Sequence, residues 1–271
     1  MSVNAIIVGP PRSGTSMTAV IFKRNGYFVT DDEVAQLQQA NEFNPYGFWE
    51  AEALKKANAE IFHSVGFEFD NTWMFNEISD QQVEGILSLP HAENHKRLVE
   101  EYSQHAPWLW KDPCLCFTIG YWWPLLKEHN TRVILLKRDP KEIYQSFLRL
   151  KWNEMNGDDK QAAHKRIEHH LVAAEEALKR FDIPHIVINY ADYASDSEAT
   201  ARKIGDFFEL DLCGKDIGYD EKLRTSGFRG AYWRLLDGLG GFIPDGLRKN
   251  IKKLMPGFIM KIIYPHRYLN K

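Results

Sequence analysis

Short apolar runs alternate along the chain with segments of helical periodicity. We interpret the apolar runs at 4–8, 108–111, 132–137 and 185–189 as buried strands. Apolar residues that recur every three or four positions predict helices at 16–24, 32–40, 50–64, 159–181 and 197–208, and two polar helices within 79–105. This alternation favours an α/β fold with a central parallel β-sheet flanked by helices, because parallel strands need the crossover that a helix supplies.

The segment after the strand at 132–137 carries the signals of a helix start. Asp139 can act as the N-cap, Pro140 occupies the first helical position, and Glu142 completes a capping-box pattern. Ligands of open parallel sheets bind beyond the carboxyl ends of the strands. We therefore expect the functional residues in the segments that directly follow predicted strands.

Length and composition indicate one large domain. A chain of 271 residues can bury a sizeable core, and no repeat or Pro/Gly/Ser-rich linker divides it. From about Leu223 onward the sequence changes to glycines, aromatic residues and a basic amphipathic stretch. We predict a single domain over 1–271, in which 223–271 forms a C-terminal subdomain or a lid.

Charge and cysteine content exclude several classes of partner. The net charge is −3, so no global positive field attracts nucleic acid, and any anion-binding site must be local. The cysteines lack the paired spacing of a metal site, so we expect no metal; they are Cys114, Cys116 and Cys213. No signal peptide or membrane span precedes the first strand, and we expect a cytoplasmic protein.

The loop after the first predicted strand has the composition of a phosphate-binding loop. Residues 9–16 read GPPRSGTS and open a helix, whose first N–H groups and dipole attract an anion. In the NTP-binding pattern G-x-x-x-x-G-K-[ST], a lysine contacts the β- and γ-phosphates. Here Thr15 stands in the lysine position and the cation is Arg12, which argues against an ordinary NTPase. The alternative is a turn that merely begins a helix.

A second motif follows the strand at 132–137. Residues 138–146 read RDPKEIYQS, which places Arg138 at the strand end and Ser146 two helical turns further on, where it can face back. Taken alone, this segment is also typical of a capped helix with a surface arginine. The two segments together resemble the sulfotransferase family that uses 3′-phosphoadenosine-5′-phosphosulfate (PAPS). The family loop, P-[KR]-[ST]-G-[ST]-[ST], binds the 5′-phosphosulfate, and an arginine and a serine with this spacing bind the 3′-phosphate.

The resemblance implies a fold, a donor and a set of ligands. The fold is a P-loop NTPase-like three-layer sandwich, the donor is PAPS and the product is 3′,5′-ADP. The residues implied for the 5′-phosphosulfate are Arg12, Ser13, Gly14, Thr15 and Ser16. Those implied for the 3′-phosphate are Arg138 and Ser146.

Two further nucleotide contacts are implied by the resemblance alone. Residues 189–193, NYADY, resemble the family segment Y-E-D-L and place Tyr190 against the adenine; the alternative is a buried core tyrosine. Residues 228–230, FRG, resemble a C-terminal Arg-Lys-Gly segment that contacts the 3′-phosphate, although the lysine is absent. They make Arg229 a candidate ligand.

Two segments compete to supply the catalytic base. Residues 44–50, NPYGFWE, resemble the N-P-x-G-[YF]-[FW]-E segment of bacterial-type members and make Glu50 the base. Apolar neighbours would raise the pKa of this carboxylate; the alternative is an ordinary first-turn glutamate. Residues 108–113, WLWKDP, resemble the family segment W-x-W-K-D-P, with Lys111 at the reacting group and Asp112 as the second candidate base. Alternatively, Lys111 and Asp112 form a structural ion pair.

The expected function is transfer of a sulfonyl group from PAPS to an acceptor hydroxyl or amine. A carboxylate takes the acceptor proton, and Arg12 stabilises the charge that develops on the bridging oxygen. The resemblance favours a carbohydrate, small-molecule or lipid-linked acceptor. The basic segment 247–264 makes weak contact with a membrane surface or packs on the core. The rival functions are a P-loop phosphotransferase that uses ATP and Mg²⁺, and a non-catalytic nucleotide-binding scaffold.

Overall fold

The structure is a computed structural model that describes residues 2–30, 47–72, 77–150 and 159–218. This part of the chain is a β-sheet with helices packed on both faces. The helix predicted at 32–40 and all the predictions for 223–271, including the ligand Arg229 and the basic segment 247–264, lie outside the described residues.

The sheet of the described residues has four parallel strands in the order β2-β1-β3-β4. The strands are β1 Asn4–Val8, β2 Leu109–Lys111, β3 Thr131–Lys137 and β4 His185–Asn189. All the strand predictions are confirmed, and only the starts of β2 and β3 differ, by one residue each. In the centre of the sheet, Ile6 lies opposite Trp110 on one side and Val133 on the other.

The helices lie between and after these strands. They are α1 Thr15–Arg24, α2 Glu52–Ser64, α3 Asp80–Leu87, α4 Glu93–Ser103, α5 Leu115–Leu126, α6 Pro140–Leu150, α7 Lys160–Arg180, α8 Asp192–Ser195 and α9 Ser197–Phe208, with a 3₁₀ turn at Gly214–Ile217. Helices predicted within the described residues are confirmed to within two residues at each end. Asp139 caps α6 as predicted, because its Oδ1 accepts the N–H of Lys141 at 2.8 Å.

Helix α5 was not predicted, and its sequence explains why. It reads LCFTIGYWWPLL, which is apolar around the whole helix and therefore shows no helical periodicity. Its glycine and proline also argue against a helix when only local propensity is considered. In the structure α2, α3, α4 and α7 all contact α5, so burial on every side stabilises a helix that local signals do not indicate.

The side chains of β1 alternate between two apolar cores, as the two-residue period of a strand requires. Ile6 and Val8 enter the core that α2 to α5 and α7 form on one face of the sheet. Ala5 and Ile7 enter the core formed with α1 and α9 on the other face. The sheet is therefore the middle of three layers, which confirms the predicted α/β architecture.

At the carboxyl edge of the sheet, the connections that follow β1 and β3 lead to opposite sides of the sheet. β1 connects to β2 on one side, whereas β3 connects to β4 on the other. Such a divergence opens a crevice beyond the strand ends, where ligands of open α/β sheets bind. The chains approach closely here, because a Cβ on Gly9 would lie 2.8 Å from the carbonyl oxygen of Leu136. Glycine at position 9 therefore lets the loop after β1 run beside the end of β3.

Candidate active site

The loop between β1 and α1 depends on two residues with positive φ. Arg12 has φ 69°, and Gly14, the N-cap of α1, has φ 104°. A Cβ on Gly14 would also lie 2.6 Å from Cδ2 of Tyr190, so conformation and space both require glycine there. Helix α1 consequently begins at the carboxyl edge of the sheet, where its first N–H groups can bind an anion.

The hydroxyl of Ser13, in the loop, lacks a hydrogen-bond partner among the described residues. Ser13 itself is completely buried. Buried hydroxyls are nearly always hydrogen-bonded, because an unpaired one costs about 1–3 kcal/mol. A ligand that accepts a hydrogen bond from Ser13 would remove this cost.

The two predicted phosphate-binding segments meet directly. Nε–H of Arg12 donates to the hydroxyl of Ser146 at 3.0 Å, and Nη1 of Arg138 donates to the carbonyl oxygen of Arg12 at 2.9 Å. Ser146 is buried on α6, two turns beyond Arg138. The sequence predicted two separate sites, whereas the structure joins the loop, Arg138 and Ser146 in one cluster.

The charges of this cluster favour an anion. Burial and the neighbouring Arg138 guanidinium lower the pKa of Arg12 to about 10, so Arg12 stays protonated at neutral pH. Two adjacent guanidinium groups repel each other, and an anion that contacts both is stabilised by both. The cluster therefore has the electrostatic character of a phosphate or sulfate site.

Arg138 is oriented by two neighbours besides the loop. Its Nε donates to the carboxylate of Glu142 at 3.0 Å, and its guanidinium carbon lies 3.9 Å from the centre of the Tyr190 ring. The contact with Glu142 was not predicted, since the sequence assigned that side chain to the capping box. Within the part of the chain that the structure describes, Arg138 donates through Nε and Nη1, so Nη2 can donate to a ligand.

Tyr190 is buried, which agrees with the core alternative for this residue. It is 8% exposed, and its N–H donates to the carbonyl oxygen of Lys137 at 2.7 Å, directly beyond β4. Its ring packs beside Gly14 and Arg138. Tyr190 thus packs against the loop at Gly14 and against Arg138, and its contact with adenine stays a prediction.

Lys111 and Glu50 form a buried ion pair beside the loop. Nζ of Lys111 donates to the carboxylate of Glu50, to the carbonyl oxygen of Phe48 at 3.1 Å and to the hydroxyl of Ser16 at 3.4 Å. Burial raises the pKa of Glu50, although the Lys111 charge opposes the shift. This direction confirms the predicted desolvation of the carboxylate.

The structure contradicts two alternatives that the sequence left open for Glu50 and Lys111. Glu50 precedes Ala51, the N-cap of α2, and only 5% of it is exposed, so it is not an ordinary first-turn glutamate. Lys111 pairs with Glu50 rather than with Asp112. The sequence placed Glu50 and Lys111 in competing segments, and the structure brings them into contact.

Both carboxylate oxygens of Asp112 bind neighbouring groups. Oδ2 accepts Nδ2–H of Asn58 at 2.9 Å, and Oδ1 accepts the N–H of Cys114 at 2.9 Å, just before α5. Sequence reasoning missed Asn58, although a signal exists. It is a polar residue within the apolar stripe of α2, whose other members are Leu54, Ala57, Ile61 and Phe62.

Comparison with known protein families agrees with this geometry. Residues 5–213 match the family described as the Sulfotransferase family. The chain belongs to the sulfotransferase family. A solved structure with a similar chain is the sulfotransferase domain from the Synechococcus PCC 7002 olefin synthase, at 14% identity and a TM-score of 0.42, over 84% of this chain and 82% of that chain. The comparison with curated proteins found no match.

As a sulfotransferase, this protein is an enzyme that transfers sulfate to an acceptor. The family match includes the loop, the Glu50–Lys111 pair, Arg138 with Ser146, and Tyr190. Within this region, Arg138 contacts Arg12 of the loop, Lys111 contacts Ser16 at the end of the loop, and the buried carboxylate of Glu50 pairs with Lys111. Among the described helices, none has the length and apolar character that a membrane crossing requires.

Proposed function

We propose that this sulfotransferase takes a sulfonyl group from PAPS and transfers it to an acceptor hydroxyl or amine. The observation that carries the proposal is the contact between the loop and the 138–146 segment, in which Arg12 binds Ser146 and Arg138 binds the backbone of Arg12. A bisphosphorylated adenosine needs two anion sites within the length of one nucleotide. Two arginines, two buried serine hydroxyls and a helix start lie together at one sheet edge, which supports the binding of both phosphates there.

The described residues fit this donor. Among the described residues, the hydroxyl of Ser13 has no partner and no hydrogen bond involves Nη2 of Arg138, so phosphate oxygens can accept from both groups. The residues that would hold the 5′-phosphosulfate are Arg12, Ser13, Gly14, Thr15 and Ser16, and those for the 3′-phosphate are Arg138 and Ser146. When bound, PAPS supplies an activated sulfonyl group, with 3′,5′-ADP as the leaving group. Tyr190 and Arg229 are the proposed further nucleotide contacts.

Glu50 is the proposed general base. Its carboxylate is buried, and burial raises its pKa, which makes it a better proton acceptor than an exposed glutamate. It takes the proton of the acceptor hydroxyl or amine as the oxygen or nitrogen attacks. Asp112 is the weaker candidate because both of its oxygens already accept hydrogen bonds from Asn58 and Cys114.

Lys111 and Arg12 are the proposed cations at the reacting group. Lys111 reaches both Glu50 and Ser16, so one side chain links the base to the phosphate loop. Negative charge develops on the oxygen between sulfur and phosphorus as that bond breaks, and nearby ammonium and guanidinium groups stabilise it. By family resemblance, the acceptor class is a carbohydrate, a small molecule or a lipid-linked compound.

Ligand-induced shifts in melting temperature test the donor. We expect 3′,5′-ADP to raise the melting temperature and ATP with Mg²⁺ to leave it nearly unchanged, because only the ligand that binds the folded state stabilises it. Stabilisation by ATP–Mg²⁺ alone would favour a phosphotransferase. Transfer of labelled sulfonate from PAPS to a panel of hydroxyl and amine acceptors then tests turnover, and binding without transfer would favour a scaffold.

A variant pair tests the base. Glu50→Gln should lower kcat by about 100-fold or more and preserve 3′,5′-ADP binding, since it removes the proton acceptor and the charge that pairs with Lys111 but leaves the loop and α6 unchanged. Glu52→Gln is the matched control, because Glu52 starts α2, is exposed and pairs with Lys55 rather than with the loop. An active Glu50→Gln enzyme together with an inactive Asp112→Asn enzyme would assign the base to Asp112.

A further inference from the structure

A buried polar network lies directly behind the Glu50–Lys111 pair. Asn58 and Asp112 are almost fully buried, and Nδ2 of Asn58 donates to Asp112. Oδ1 of Asn58 accepts from the hydroxyl of Thr118 at 2.8 Å and from Nε1 of Trp122 at 2.9 Å. The amide oxygen of Asn58 and both carboxylate oxygens of Asp112 therefore have hydrogen-bond partners.

The network connects the two chain segments that carry the reactive pair. Glu50 lies two residues before α2 begins, and Asn58 is on the buried face of that helix. Lys111 ends β2, and Asp112 is the next residue. The hydrogen bond between Asn58 and Asp112 therefore links α2, which follows Glu50, to the end of β2, which carries Lys111.

We propose that Asn58 and Asp112 are positioning residues that hold the Glu50 carboxylate in place against Lys111 at the phosphate loop. The proposal rests on the proposed function, in which Glu50 is the base and Lys111 acts at the reacting group. Its physical basis is that a hydrogen bond depends on direction, whereas a hydrophobic contact does not. Hydrophobic contacts around α2 are compatible with small slides of the helix, whereas a buried amide–carboxylate bond fixes one position. Misplacement of a reacting group by about 1 Å can lower a rate by about 100-fold.

A purely structural network makes different predictions. If the network only stabilised the fold, its loss would lower the melting temperature and leave kcat per folded molecule unchanged. If it positions the pair, kcat falls while the affinity for 3′,5′-ADP, which binds at the loop and α6, is retained. The effect must also act through Glu50, so it should largely disappear in an enzyme whose base is already absent.

The chain offers an exchange that conserves the hydrogen bonds. In the double variant Asn58→Asp with Asp112→Asn, the carboxylate at 58 can accept from Thr118, Trp122 and the new amide at 112. The amide oxygen at 112 can still accept from the N–H of Cys114. Each single change instead brings two acceptors or two donors together. The exchange moves a charge but keeps the geometry.

The experiment measures kcat, KM for PAPS, 3′,5′-ADP affinity and melting temperature for these variants at a temperature where all are folded. We expect Asn58→Ala and Asp112→Asn to lower kcat by about 10- to 100-fold with 3′,5′-ADP affinity within about threefold, and the exchange to recover most of kcat. In the Glu50→Gln background, Asn58→Ala should lower kcat further by less than about threefold. If Asn58→Ala does not fold, Asp112→Asn and the exchange carry the same comparison.

A buried amide elsewhere serves as the control. Asn4, at the opposite end of β1, bonds to the backbone of Trp108 and His129, and Asn4→Ala should lower the melting temperature without changing kcat. Unchanged kcat in Asn58→Ala, a full further loss in the Glu50→Gln background, or no recovery in a folded exchange variant overturns the positioning role alone. A wild-type enzyme that binds 3′,5′-ADP but transfers nothing from PAPS overturns the proposed function and this inference with it.

Discussion

Replacing Lys111 with methionine tests the electrostatics of the reactive pair. Lys111 Nζ contacts the buried carboxylate of Glu50 and opposes the effect of burial on its pKa. Lys111→Met removes that charge and retains most of the side-chain volume. The pKa of Glu50 must then rise, because burial and the nearby Asp112 charge both raise it and the main opposing cation is gone.

The size of the shift follows from Coulomb's law. Two unit charges about 4 Å apart interact by about 4 kcal/mol at an effective dielectric constant of about 20, and about 1.4 kcal/mol corresponds to one pKa unit. Relaxation and water entry reduce this value, so the pKa of Glu50 rises by only part of it. The unprotonated carboxylate is the active form, and activity is therefore lost below its pKa. The acidic limb of the pH–kcat profile should move to higher pH by the same amount.

The assay is kcat with saturating PAPS and acceptor at a series of pH values, measured for wild type, Lys111→Met and Lys55→Met. Lys55 also lowers the pKa of Glu50, but its contribution is the smallest, and its own ion pair is with Glu52. Lys55→Met should therefore move the limb only slightly. An acidic limb that stays in place in Lys111→Met, or moves to lower pH, would refute the assignment of that limb to Glu50.

Three further predictions concern the nucleotide site and the core. Arg138→Ala should weaken 3′,5′-ADP binding by about 1.5–3 kcal/mol in a titration, as expected for a lost charged hydrogen bond, whereas an unchanged affinity would contradict its role. Gly14→Ala should destabilise the protein by about 1–3 kcal/mol in denaturant unfolding, because φ is 104° and Tyr190 fills the space. His170 is buried with its pKa lowered to about 4 from the usual 6.5, so the unfolded chain binds the additional proton between these values. Stability should fall as the pH decreases from about 6.5 to about 4, and His170→Asn should weaken that dependence of the melting temperature.

Local signals in the sequence were sufficient to predict most of the secondary structure of the described residues. The strands of the described residues, the Asp139 cap and the phosphate loop follow from apolar runs, short-range capping chemistry and the glycine pattern, all of which depend on neighbours in the chain. Helix α5 shows the limit of such signals. Its residues are apolar on all sides, so only the surrounding helices decide that this segment is helical.

The site divides in the same way. The loop pattern made Arg12 a candidate anion ligand, and the resemblance to the sulfotransferase family added Arg138 and Ser146, because a motif can be read from a single segment. Only the tertiary structure decided that Arg12 bonds Ser146, that Lys111 pairs with Glu50, and that Asn58 holds Asp112. These contacts join residues far apart in the chain. Which side chains meet there is set by the order of the parallel strands and the packing of α2 and α6 on the sheet, and no local pattern encodes either.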